Sequence, residues 1–386
     1  MNQEKLKRLS ALIEEERQGG KLEDVGLCVM QHGKIEMEAY FGQANKESIF
    51  RLFSMTKPIT AVAAFILYER GMLDLWEPVW HYIPEFRKMK VLTEYALVPA
   101  DREILIVDLL NMTAGLSYDG EDNLAELEMR QILHEIDEDM KKGVPVDLVE
   151  AVRRLARCPL VCQPGDRWHY GICADVMGAI VQIVSGMSYG EFLRKEIFEP
   201  LEMKDTGFYF TEDRLSRLLP MYTRYNEAGQ LRVMAKGEMG SRSLVPGDLE
   251  RSLESGGGGL HSTVTDYMHF AQMLEQKGRY KDKEILGRKT VEWMTQNQLT
   301  RHQYDTIYFD SIDGYGYGNF MRVLDNQNGA VTNGSLGEFG WDGMAGSYFM
   351  VDPKENIVFV YMQHIREGGD LTLRRKMRQI IYGAIQ

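Results

Sequence analysis

An amphipathic pattern runs over residues 3–18 and stops at Gly19-Gly20, which predicts a first helix. The period then shortens. Val25 to Met30 and Lys34 to Phe41 read as two strands around the turn His32-Gly33. From Ser54 to Arg70 the pattern is helical again, with Pro58 in the first turn, where proline is tolerated, and Gly71 as the stop. The run from Ala61 to Leu67 is apolar nearly all round, so this helix is expected to be central.

From about 72 to 240 the chain reads as helical pieces joined by loops, with little alternation. Ile104 to Leu110 leads into the turn Asn111 to Gly115. Leu124 to Lys142 is charged and reads as a solvated surface helix. Leu148 to Ala156, Asp175 to Val184 and Tyr189 to Ile197 are further helices. Strand signals return at the end. Tyr315 to Asn319 and Met321 to Val323 suit strands. Gly346 to Val351 and Ile357 to Met362 look like a hairpin turned by Asp352 to Asn356. Leu371 to Ile385 closes the chain as a helix. The picture is a mixed α/β lobe made from residues 1–75 and 245–386, with a mostly helical lobe from 76 to 244 inserted between them.

Length agrees with that division, because 386 residues exceed one simple core. Apolar residues make up 44% and charged residues 26%, an ordinary globular balance. The net charge of -12 would repel phosphate backbones and anionic membranes, so neither nucleic acid nor membrane is an expected partner. The first residues carry no apolar leader core and no small-residue cleavage site, and no apolar run approaches ~18 residues. A cytoplasmic location is the expectation. The four cysteines, Cys28, Cys158, Cys162 and Cys173, are too few for a disulfide scaffold. Cys158, Cys162 and His169 could in principle hold a metal, but buried thiols are the better reading, and no metal is expected.

Four segments carry candidate chemistry. Ser54-Met55-Thr56-Lys57 is an S-x-x-K in which Lys57 lies one helical turn beyond Ser54. A desolvated ammonium loses pKa and can share or take the hydroxyl proton. A serine that opens a helix also sits among unpaired N–H groups able to hold an oxyanion. Read blandly, the same residues are an N-cap serine and a surface lysine. Gln163 to Tyr170 is a Pro-Gly turn followed by aromatics. Tyr170, beside a lysine, could have a lowered pKa and act as a base, or be a packed ring. Gly337 to Gly346 is glycine-dense just before a strand, where backbone can approach a ligand. Ser255 to Leu260 lacks the features of a phosphate loop and reads as a turn near the cleft. A fifth segment, Gly186-Met187-Ser188-Tyr189-Gly190, matches the nucleophile-elbow pattern. It follows a helix rather than a strand, so Gly186 reads as a C-terminal cap and Ser188 as an N-cap.

Taken in order, Ser54-Met55-Thr56-Lys57, Tyr170 and Trp341-Asp342-Gly343 resemble the motifs of the serine β-lactamase-like superfamily, in particular class C β-lactamases and family VIII carboxylesterases. The resemblance covers roughly residues 22 to 363. It implies an α/β (α+β) fold with an antiparallel sheet flanked by helices, and a cleft between the sheet lobe and the helical lobe. It also implies Ser54 as an acylated nucleophile, Lys57 as its proton partner and Tyr170 as base and later acid. The N–H groups of Ser54 and Met344 would form the oxyanion hole, Trp341, Asp342 and Gly343 would line the substrate site, and no cofactor is implied.

Two departures set the expected chemistry. Tyr170-Gly171-Ile172 lacks the asparagine of Y-x-N, and Trp341-Asp342-Gly343 stands where the lactamases have K-T-G. Both point from β-lactams toward small or medium acyl esters as the small-molecule substrate. Asp342 also departs from the W-G-G of the esterases. If it points inward, its carboxylate would disfavour acidic esters. The expectation is therefore a serine carboxylesterase. A β-lactamase or D-amino-acid-type peptidase, an acyltransferase and a non-catalytic binding protein with a retained pocket are the other readings.

Overall fold

The computed structural model describes residues 1–225, 229–235, 238 and 253–386. The lobe boundary expected at 244/245 lies outside the described residues. The centre is a seven-stranded sheet of strands β1 (Val25–Gln31), β2 (Lys34–Phe41), β3 (Tyr315–Gly318), β4 (Met321–Leu324), β5 (Phe339–Asp342), β6 (Tyr348–Asp352) and β7 (Ile357–Gln363). Their spatial order is β3-β4-β5-β6-β7-β1-β2, and every neighbouring pair is antiparallel. Both ends of the chain therefore build one sheet, joined where β1 pairs with β7 from Val25↔Gln363 to Gln31↔Ile357.

Helices cover both faces of the sheet, which is why β1 and β7 are buried along their whole length. Val25, Leu27 and Val29 alternate with Cys28 and Met30 along β1. The first set packs with α1 (Gln3–Gln18) and the C-terminal helix α5 (Leu371–Gly383) in one core. The second set belongs to a larger core with α2 (Thr56–Glu69), α3 (Cys173–Ser185) and α4 (Val264–Glu275). The apolar run of α2 has the predicted consequence: Thr56 to Leu67 are all buried.

Several details differ from the sequence reading. Among its described residues, the stretch from 72 to 240 contains two hairpins, Lys90–Leu92 with Leu97–Pro99 and Tyr222–Arg224 with Leu231–Val233. They are too short to show alternation. Within the glycine-dense segment, Phe339–Asp342 is itself a strand rather than the approach to one. Ser54 does not open α2. It lies in a 3-10 turn, Phe53–Met55, and α2 begins at Thr56. Among the described residues no single helix is long and apolar enough to cross a membrane.

Candidate active site

The 3-10 turn places Ser54 at the mouth of the core. Phe53 before it has φ +47°, a left-handed conformation that costs a non-glycine residue about 1–3 kcal/mol. This kink turns the chain between β-structure and α2. Tyr267 of α4 holds it by donating to the Met55 carbonyl at 2.8 Å. Ser54 is half-buried, while Lys57 on the first turn of α2 is fully buried.

Lys57 Nζ donates to Ser54 Oγ at 3.0 Å and to the Gly257 carbonyl at 2.6 Å. It also lies 4.8 Å from the centre of the Tyr170 ring and 5.6 Å from that of Tyr118. Among the described residues, Lys57 has no salt-bridge partner. Burial without a paired carboxylate lowers its pKa to about 8, against a smaller upward pull from Asp175.

The Gly257 carbonyl belongs to the Ser255 to Leu260 turn, which Thr60 pins to α2 by donating to the Gly256 carbonyl at 2.7 Å. On the other side, Asp175 of α3 accepts from Ser255 Oγ at 2.5 Å and from the Gly257 N–H at 3.1 Å. Only glycine fits this contact. A Cβ on Gly256 would come within 2.3 Å of the Ala174 carbonyl oxygen, and one on Gly257 within 2.6 Å of Asp175 Oδ2. Burial raises the Asp175 pKa, and among the described residues its Oδ2 has no hydrogen-bond partner.

Tyr170 lies just before α3, with its ring walled by Trp168, Tyr118, Phe309 and Trp341. Its phenol is in hydrogen-bonding contact with Ser54 and accepts from Trp341 Nε1 at 3.1 Å. The lowered pKa expected from a neighbouring lysine is overturned. Burial among aromatic rings outweighs the Ser54 and Trp341 hydrogen bonds and pushes the phenol well above its ordinary value.

The fourth wall is the end of β5. A Cβ on Gly343 would meet the Leu52 carbonyl oxygen at 2.4 Å, so glycine there lets the strand end abut the Ser54 turn. The turn after it closes through Gly343 N–H to the Ser347 carbonyl and Gly346 N–H to the Gly343 carbonyl, each at 2.8 Å. Among the described residues the Ser54 and Met344 N–H groups have no backbone acceptor. Asp342 corrects the sequence reading. Trp341 faces the core that holds Tyr170, whereas the Asp342 carboxylate is taken by an ion pair with Arg374 of α5. Successive residues of a strand face opposite sides, so Asp342 does not point into the cleft.

Ser188 lies elsewhere. It caps the helix Tyr189–Leu193 by accepting from the Glu191 N–H at 3.2 Å, two residues after Gly186 in the left-handed conformation. The four cysteines are buried free thiols, and burial raises the Cys158 thiol to about 12. His169 sits 3.3 Å from Ser117 Oγ, and among the described residues no group of three metal-ligating side chains converges.

Sequence reasoning missed Asp175, the Gly257 carbonyl, Tyr118 and the indole of Trp341 as a partner of Tyr170. Asp175 could have been found, since a carboxylate near the start of an otherwise apolar helix needs a reason to be buried.

Protein Rv1367c of Mycobacterium tuberculosis is 33% identical over 85% of this chain and 80% of its own length. Esterase EstB of Burkholderia gladioli is 27% identical over 97% of this chain and 94% of its own. The solved structure of EstCE1, described as a hydrolase with promiscuous acyltransferase activity, superposes with a TM-score of 0.81 at 23% identity and covers 99% of both chains. The Beta-lactamase family model matches residues 9–382, and the chain belongs to the Beta-lactamase family.

Proposed function

We propose that this protein is a serine carboxylesterase that forms an acyl-enzyme on Ser54. The observation that carries the reading is the state of Lys57: buried, without a paired carboxylate, and donating to Ser54 Oγ. At a pKa of about 8 roughly a tenth of the amine is neutral at pH 7, against ~1 in 3,000 for an exposed lysine. Lys57 is therefore the base, and the high pKa of Tyr170 makes the phenol a proton donor.

In this reaction Lys57 takes the Ser54 proton as Oγ bonds to the ester carbonyl carbon. The Ser54 and Met344 N–H groups hold the resulting oxyanion, an interaction typically worth ~2.7–4 kcal/mol per donor. The carbon–oxygen bond to the alcohol breaks, and the alcohol leaves with the proton returned through the Lys57–Tyr170 pair. Lys57 is then free to activate a water that releases the acid. Trp341 favours the proton's passage, because its N–H steadies negative charge developing on the Tyr170 oxygen.

Ester rather than β-lactam chemistry is supported by what stands around Tyr170. An indole N–H occupies the place of a lysine, and Gly171-Ile172 follows in place of an amide. Losing a charge-assisted contact to a substrate carboxylate costs ~1.5–3 kcal/mol, roughly ten- to a hundredfold. The named activity of EstB agrees with this reading. Hydrolysis of p-nitrophenyl butyrate against nitrocefin tests it: kcat/KM is expected to favour the ester, and a preference for nitrocefin would overturn the assignment. Acyl transfer to an alcohol is the second reading, favoured by the described activity of EstCE1. It would appear as faster acyl release when alcohol is added.

A further inference from the structure

Behind β5, on the side of α5 and away from Ser54, lies a cavity of about 510 Å³. Its wall includes Arg322 of β4, Arg374, Arg375 and Arg378 of α5, and the rings of Tyr315 and Tyr348. Arg322 is 3% exposed, and among the described residues it forms no salt bridge; its hydrogen bond goes to the Phe349 carbonyl at 3.0 Å. The guanidinium rests 4.4 Å from the centre of the Tyr348 ring, and Arg374 lies 5.3 Å from the same ring.

Buried charge is normally paired, because an isolated ion loses its hydration without return. Arg374 has Asp342 and Arg378 has Glu338, which leaves the buried Arg322 with no carboxylate in salt-bridge contact among the described residues. Asp352 shares Tyr382 with Glu338 but is already held by the N–H groups of Ser335, Lys354 and Glu355. The orphaned polar atoms here have the same character: Arg374 Nε, Arg378 Nε and the Tyr348 hydroxyl are buried donors with no acceptor among the described residues. Exposed Asp310 and Asp313 at the rim outnumber exposed Arg375 and would turn away multiply charged anions.

We infer that this cavity binds a small organic monoanion, a carboxylate seated on Arg322 with its apolar body between Tyr315, Tyr348 and the apolar lip at Leu371 and Val331. The site does not depend on the chemistry proposed at Ser54. Calorimetric titration with benzoate, and with benzamide as its uncharged counterpart, tests it on the whole protein. Benzoate is expected to bind saturably and benzamide at least about tenfold more weakly. Arg322→Gln is expected to lose benzoate binding, Arg375→Glu at the exposed rim to weaken it, and Lys57→Met to leave it unchanged. The wild-type comparison and Arg375→Glu stand even if Arg322→Gln fails to fold. Equal binding of benzoate and benzamide, no saturable benzoate binding, or loss in Lys57→Met with full retention in Arg375→Glu would overturn the inference.

Discussion

Trp341 Nε1 donates a hydrogen bond to the phenol oxygen of Tyr170 at 3.1 Å, joining the sheet to the segment that leads into α3. The bond directs a neutral donor at the atom from which a proton is proposed to pass. Trp341→Phe keeps the ring and removes the donor. We expect kcat to fall roughly tenfold with KM little changed, about 1.4 kcal/mol. Steady-state kinetics on p-nitrophenyl butyrate would show it, and a change confined to KM would speak for packing alone.

The proposed base sets the pH profile. Lys57 must be neutral to take a proton, so kcat/KM is expected to rise with pH through an apparent pKa near 8 and then level. Lys57→Ala should lower the rate by ~10²–10⁴-fold and abolish that limb. Stability follows the same sign: between the lowered folded pKa and the ordinary lysine value the unfolded chain binds more protons, so stability rises with pH there. A wild-type profile flat from pH 6 to 9 would count against Lys57.

Asp175 acts on Lys57 at a distance through its charge and through the Gly257 turn. Replacing the carboxylate by an amide removes a field that favours the ammonium. The limb in Asp175→Asn is expected to move to lower pH, a shift that purely structural damage would not produce. An unmoved midpoint with reduced rate would assign Asp175 a packing role.

Asp342 is tied to Arg374 rather than presented to substrate. Asp342→Asn should cost about 1–3 kcal/mol of stability, because a mostly buried guanidinium loses its partner, with some screening by solvent. Chemical denaturation measures this. Rates on acidic and neutral esters should change in parallel, and a selective gain for acidic esters would restore the inward-pointing reading.

Ser188→Ala tests the alternative serine. Loss of an N-cap costs ~1 kcal/mol, so the melting temperature should drop slightly while ester turnover stays at the wild-type level.

Much of this molecule was legible before the coordinates. The long apolar helix, the two strands around His32-Gly33 and the C-terminal hairpin have periods set by local burial, and they appear at the expected places. The S-x-x-K spacing puts Lys57 against Ser54 because one helical turn suffices. What was not legible depends on long-range packing. The direction of the Tyr170 pKa follows from burial among rings of which Tyr118, Phe309 and Trp341 are distant in sequence, and the orientation of Asp342 from which face of β5 meets α5. The Gly257 N–H donates to Asp175 and so joins α3 to a turn 82 residues away, a pairing no local pattern announces.

Ser54 is the residue proposed to carry the acyl group. Intact-mass spectrometry after incubation with a fluorophosphonate tests it on the wild type, Ser54→Ala and Ser188→Ala. One adduct is expected on the wild type and on Ser188→Ala, and none on Ser54→Ala. An adduct that survives Ser54→Ala, or disappears in Ser188→Ala, would contradict it.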